Sequence, residues 1–164
     1  MDAFIETYGK RLFGLCLTLC GDRCSAEDLY QETWLRALQK FSSYRKELPF
    51  EPWLTRICVN LYRDRLRRQK AQPAPLDFAD SNEKTRFLEQ IPQETPPDYA
   101  ALHEAIDRLP QKLRMVIILF YFHGLDAKAA AAALGVPPGT VKSRLHHARE
   151  QLRKELEYEP DLPF

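Results

Sequence analysis

A chain of 164 residues has room for one ordinary domain or two small ones, at roughly 100–200 residues per domain. With 45% hydrophobic and 29% charged residues, its composition is that of a folded, soluble chain and argues against wholesale disorder. The longest unbroken apolar run, Met115–Phe122, is eight residues, far short of the roughly 18 that cross a bilayer, and the start Met-Asp-Ala-Phe-Ile-Glu lacks a secretory pattern. Membrane insertion and export are not expected, and the cytoplasm is.

Net charge is +1, but the charges are unevenly placed. Residues 1–71 hold 13 basic and 9 acidic side chains, residues 72–97 hold 2 and 5, and residues 98–164 hold 9 of each. Arg56–Lys70 concentrates Arg56, Arg63, Arg65, Arg67, Arg68 and Lys70 against the single acid Asp64. Such a stretch is either a local contact for a polyanion or a solvated helix face.

The first helix is predicted from Ile5, Tyr8, Leu12, Leu15, Cys16 and Leu19, with Gly21 closing it. Ser25-Ala-Glu-Asp28 resembles a capping box and predicts a second helix starting there. Its apolar face would be Ala26, Leu29, Tyr30, Thr33, Trp34, Ala37, Leu38 and Phe41, and its polar face Asp28, Gln31, Glu32 and Arg36. A polar loop, Ser42–Leu48, precedes Pro49 and Pro52, which suit the first turn of a third helix. That helix would bury Trp53, Leu54, Ile57, Cys58 and Leu61. On its other face Arg56, Asn60, Arg63 and Arg67 form one stripe, spaced 4, 3 and 4. Arginines suit phosphates, and the asparagine, a poor helix former, adds a group able to read a base edge.

Gln72–Pro97 contains five prolines and several Asp, Ser and Asn residues, the composition of a flexible linker. Beyond it, Tyr99, Leu102, Ile106 and Leu109 predict a helix, and Pro110 begins another through Leu113, Val116, Ile117, Phe120 and Tyr121, stopped by Gly124. Asp126 can cap a short helix Ala127–Leu134 that ends at Gly135. The turn Gly135-Val136-Pro137-Pro138 leads into a longer helix packed by Val141, Leu145, Ala148, Leu152 and Leu156. Short helix, glycine-containing turn and longer helix make a helix-turn-helix, or else a helical hairpin with no DNA role. Its second helix offers Thr140, Lys142, Ser143, Arg144, His147 and Arg149, mostly near its start, where a recognition helix meets the major groove. The expectation is an all-α protein: a helical domain 1–71, a linker 72–97 and a helix-turn-helix domain 98–164.

Cys16, Cys20, Cys24 and Cys58 are expected to be reduced thiols. The i, i+4, i+8 spacing of the first three raises zinc, but no histidine lies near them and Gly21 interrupts the helix, so packing is the preferred reading and no metal or cofactor is expected. No nucleophile–base pair or phosphate loop is present, and His103, His123, His146 and His147 have no ligand spacing, so an enzyme is not expected.

Three segments carry a resemblance to a known family. Ser25-Ala-Glu-Asp-Leu-Tyr-Gln-Glu-Thr-Trp-Leu-Arg-Ala-Leu38, Pro49-Phe-Glu-Pro-Trp-Leu-Thr-Arg-Ile-Cys-Val-Asn60 and Leu134-Gly-Val-Pro-Pro-Gly-Thr-Val-Lys-Ser-Arg-Leu-His-His-Ala-Arg149 resemble bacterial RNA polymerase sigma factors of the small extracytoplasmic-function (ECF) group, which retain only regions two and four. The resemblance implies that Asp28, Gln31, Glu32 and Arg36 dock on the clamp helices of the polymerase beta-prime subunit. It implies that the loop Ser42–Leu48, with Ser43, Tyr44, Arg45 and Lys46, captures a flipped base of the minus-ten element. Arg56, Asn60, Arg63 and Arg67 would lie beside the melting strand, and Thr140, Lys142, Ser143, Arg144, His147 and Arg149 at the minus-thirty-five duplex. Part of Leu113–Phe122 would meet the beta subunit. Core RNA polymerase, promoter DNA and an anti-sigma factor are the implied partners. The chain departs from the family where Lys128 and Ala129–Ala133 replace a Glu-Ile-Ala core, which predicts weaker packing of the helix-turn-helix. The rival reading is a regulator that binds duplex DNA through its C-terminal module without polymerase; it leaves residues 1–71 unexplained.

Overall fold

A computed structural model describes residues 2–71 and 98–156, with the backbone alone at 98–100. The linker expected over 72–97 lies outside the described residues. Those residues are all-α and divide between two compact units.

The first unit packs α1 (Asp2–Cys20), α2 (Arg23–Lys40) and α3 (Phe50–Ala71) against one another. Leu12, Leu15, Cys16 and Leu19 of α1, Ala26, Leu29 and Ala37 of α2, and Leu54, Cys58 and Val59 of α3 meet in its core. Gly21 takes φ 77°, a left-handed value that a side chain would oppose, and its N–H reaches the Leu17 carbonyl at 2.9 Å. The chain turns so sharply there that α2 starts before the expected Ser25 cap. Asp22 is the N-cap, its carboxylate accepting the Ser25 N–H at 2.8 Å. Asp and Ser cap about equally well, and the upstream one adds a turn of helix. Thr33, fully buried, donates its hydroxyl to the Leu29 carbonyl at 2.7 Å, which allows a polar side chain in this core. Gly9 of α1 also has a packing reason, since a Cβ there would lie 2.9 Å from the Tyr30 hydroxyl.

Some apolar positions expected inside are outside. Ile5 is exposed and Leu38 is 57% exposed, because each lies at the edge of its stripe, where no helix among the described residues covers it. Trp53 is half-buried, whereas Phe50 and Val59, absent from the expected core, are buried.

The second unit contains α4 (Asp98–Arg108), α5 (Gln111–Ile117), α6 (Ala127–Leu134) and α7 (Pro138–Glu155). Pro110 stands at the N-cap of α5. After Ile117 the helix widens into one π turn, Ile118–Phe122, with the His123 N–H bonded to the Ile118 carbonyl at 3.0 Å. The extra residue rotates the end of the helix, so Tyr121 and Phe122 are 42% and 45% exposed where helical periodicity placed Tyr121 inside. Asp126 caps α6 as expected, accepting the Ala129 N–H at 2.7 Å, and Gly135 ends it at φ 67°. Ala130, Ala131 and Ala133 are buried and α6 packs on α7, where Val141, Leu145, Ala148 and Leu152 supply the larger side chains.

Candidate nucleic-acid interface

On α3, Arg56, Asn60, Arg63 and Arg67 are all exposed and lie on one face, as their spacing requires. Arg67 pairs with Asp64 one turn earlier, an exposed contact of little energetic weight. Arg65 has a different task. Its guanidinium turns inward, reaches Glu32 at 2.8 Å and the Ser25 carbonyl at 3.3 Å, and so ties α3 to α2. One arginine of the basic stretch therefore holds the fold while four positions around it form a polar, cationic surface.

The loop before α3 is tied at both ends. Ser43 donates its hydroxyl to the Lys40 carbonyl at 2.7 Å, and the Tyr44 hydroxyl reaches the Leu48 carbonyl at 2.5 Å. The Tyr44 ring also packs on Trp53 and Phe50, with centroids 5.1 and 5.3 Å away. Buried Phe50 is the hub, touching Phe4 at 4.3 Å and Tyr8 at 5.2 Å as well. Arg45 and Lys46 are exposed at the loop tip. A loop tied down on an aromatic base, with cations at its tip and the α3 stripe following in the chain, has the parts needed to hold an unstacked base.

On α2, Asp28, Gln31 and Arg36 are exposed, and Glu32 is half-buried in its pair with Arg65. Leu35 and Leu38 share the exposed face with Asp28 and Gln31, at spacings of 3, 4 and 3, and each is 57% exposed. Sequence reasoning placed Leu38 in the core and left Leu35 unassigned. The signal that identifies both is their register with Asp28 and Gln31.

On α7, Thr140, Ser143, Arg144 and His147 share one face, with Ser143 and His147 exposed and Thr140 and Arg144 half-buried. Lys142 and Arg149 leave the helix about 160–180° away from Thr140, at 100° per residue. Arg149 is engaged there: its Nε donates to the Tyr121 hydroxyl at 2.7 Å and its guanidinium lies 5.6 Å from that ring's centroid. The six positions expected at the minus-thirty-five duplex are thus split, four together and two apart.

Comparison with known proteins accounts for both units. Residues 4–72 match the Sigma-70 region 2 family, and residues 99–152 match Sigma-70, region 4. The ECF RNA polymerase sigma factor SigW of Bacillus subtilis is 32% identical over 94% of this chain and 89% of its own length. The chain belongs to the ECF sigma factors. The ECF sigma factor SigE of Mycolicibacterium smegmatis is 35% identical over 94% of the chain, which spans 61% of that longer protein. The sigma factor RpoE of Bartonella quintana, solved with the anti-sigma factor NepR, shares the fold with a TM-score of 0.72 over 97% of this chain and 99% of its own, at 24% identity. A sigma factor with both regions accounts for residues 1–71, which the rival regulator reading left without a role.

Two of the four thiols of this sigma factor are packed in the core of region two. Cys16 and Cys58, both fully buried, meet across α1 and α3 with sulfurs 3.7 Å apart. The hydrogen bond between them, and then burial, push the Cys16 thiol far above its ordinary range. Burial pushes Cys20 up to about 12, with Arg65 opposing. Cys24 lies exposed on α2, and among the described residues no three His, Cys, Asp or Glu side chains are grouped to hold a metal ion.

Proposed function

We propose that the two regions of this sigma factor divide promoter recognition between them. It directs transcription initiation by binding core RNA polymerase, with α2 as the docking face: Asp28, Gln31 and Arg36 supply polar contacts, and Leu35 and Leu38 the apolar area. Glu32 acts mainly by fixing Arg65, and through it the angle between α2 and α3. The docked protein then sets Ser43, Tyr44, Arg45 and Lys46 and the α3 face against the minus-ten element. Arginines 56, 63 and 67 attract the phosphates of the melting strand, a salt-sensitive term without sequence preference. Asn60, which carries a donor and an acceptor, faces a base edge. Extruding a base costs a few kcal/mol in stacking, and the loop and its neighbouring cations compensate.

Region four lays Thr140, Ser143, Arg144 and His147 toward the major groove of the minus-thirty-five duplex, while Lys142, on the opposite side of the helix, adds only positive charge at a distance. Arg149 supports that helix through Tyr121 more than it touches DNA. The segment around Leu113–Phe122 meets the beta subunit. RNA synthesis itself stays with the polymerase, in the cytoplasm, and this chain contributes recognition and melting without a catalytic step. An anti-sigma factor, such as those bound to the solved relatives, restrains it.

The observation that carries this reading is the α3 face: four aligned polar and cationic positions point outward while Arg65 is tied inward. In vitro transcription with bacterial core polymerase, with and without this protein, is the test. Promoter-specific initiation only in its presence is the expected result. Duplex binding that is indifferent to core polymerase, with no initiation, would overturn it.

A further inference from the structure

The loop between α2 and α3 holds one side chain that behaves unlike its neighbours. After a single 3-10 turn, Phe41–Ser43, the backbone straightens at Tyr44 (φ −73°, ψ 127°). It then reverses, and the Leu48 N–H returns to the Arg45 carbonyl at 3.0 Å. Arg45, Lys46 and Glu47 stand exposed on this reversal, and Leu48 is exposed as well. Tyr44 alone among residues 44–48 is half-buried.

Both the ring and the hydroxyl of Tyr44 are engaged within the protein. The ring centroid lies 5.1 Å from that of Trp53, 5.3 Å from Phe50 and 6.0 Å from Phe41, so the chain itself supplies its aromatic neighbours. The hydroxyl donates to the Leu48 carbonyl at 2.5 Å. Leu48 stands ahead of Pro49 and outside α3, so its carbonyl has no place in the helical ladder. A phenylalanine would fill the same aromatic bed; only the hydroxyl bridges the reversal. The side chain that the resemblance set beside DNA is thus committed to the loop itself.

We propose that Tyr44 is a positioning residue, which closes the reversal Arg45–Leu48 through its hydroxyl and does not stack on the extruded base. The proposal rests on the reading that this loop captures a base of the minus-ten element, and it leaves contact with the strand to the tip, Arg45, Lys46 and Glu47. A reversal closed before DNA arrives has no conformational freedom left to lose there on binding. A preformed tip therefore favours the base that fits it, and Tyr44 contributes to specificity without touching DNA.

The test separates the hydroxyl from the ring. DNA randomised across both promoter elements, and selected for initiation by core RNA polymerase with the parent protein, supplies the promoter. On it, Tyr44→Phe and Tyr44→Ala are compared with the parent. A stacking role leaves Tyr44→Phe equal to the parent and impairs only Tyr44→Ala. Positioning predicts that Tyr44→Phe slows open-complex formation about 2- to 10-fold, the range of one net hydrogen bond. It also predicts a relaxed base preference at the captured position, with core-polymerase affinity, minus-thirty-five preference and melting temperature at parent values. Tyr44→Phe equal to the parent in rate and base preference would overturn the proposal. If Tyr44→Ala and Arg45→Ala/Lys46→Ala also match the parent, the minus-ten reading of the loop falls with it. If those variants are impaired while Tyr44→Phe is not, that reading stands and only the positioning role is lost.

Discussion

Regions two and four are both helical, but one helix of region four, α6, buries a different kind of side chain from any helix of region two. Region two fills the space between three helices with leucines, an aromatic hub at Phe50 and a pair of thiols. In region four, α6 contributes three buried alanines and one leucine, Leu134, and α7 supplies the bulk. Alanine favours the helix and lets backbones approach closely, but it removes little apolar area from water. The first helix of the helix-turn-helix therefore holds its place mainly through its caps, Asp126 and Gly135, and through α7. The rest of region four buries large side chains as region two does, Met115, Ile118 and Leu119 among them, so the contrast is confined to α6.

That contrast can be broken most directly by paired core substitutions. Leu29→Ala removes a fully buried side chain from region two and is expected to cost about 2–5 kcal/mol. Both tryptophans, Trp34 and Trp53, lie in region two, so fluorescence should report this loss while the helical signal of region four persists. Ala130→Gly in α6 is expected to cost only about 1 kcal/mol and to leave the tryptophan transition in place. Equal shifts of both transitions in either variant would show that the regions unfold as one.

The surfaces differ as well. Replacing Leu35 and Leu38 together by aspartate should weaken core-polymerase binding roughly 30-fold, about 2 kcal/mol, while the fold loses only about 0.5 kcal/mol per site in helix propensity, since each side chain is 57% exposed. Equilibrium binding to core polymerase is the check, and unchanged affinity would move the docking face elsewhere. Asn60→Ala should reduce open-complex formation severalfold in permanganate footprinting and change duplex affinity little. Normal melting in that variant would leave Asn60 a structural residue.

A further expected effect concerns pH. The thiol of Cys20 is raised from 9.0 to about 12 in the folded protein, so above pH 9 the unfolded chain loses this proton before the folded one does. Its contribution to stability is complete below pH 9 and declines from there toward 12. Cys20→Ala should therefore lose less stability than the parent between pH 8 and 10.5 in urea melts of region two. An identical slope in the two proteins would show that Cys20 does not carry the effect.

Much of the fold was legible because helix ends here are locally encoded. Gly21, Gly124, Asp126 and Gly135 each act within a turn of their own position, and each does what its type predicts. The cap of α2 was misjudged for an instructive reason: Asp22 and Ser25 are equally good caps, and only the path of the chain after Gly21 chooses between them. The candidate site was less legible. Its α3 stripe follows from spacing alone, but Leu38 and Tyr121 were assigned inward by a periodicity that does not know where a partner helix ends or where a π turn adds a residue.

The sequence by itself determined that this chain forms helices of two regions, where most of them begin and end, and which family its motifs belong to. Those properties rest on local backbone preferences and on residue identity in order. Tertiary structure decided which of several like side chains does what: Arg65 bonded to Glu32 beside the outward stripe, Arg149 on Tyr121, Leu35 and Leu38 in water, Cys16 against Cys58. A helical repeat fixes the angle at which a side chain leaves its axis, and burial depends on whether another element stands at that angle.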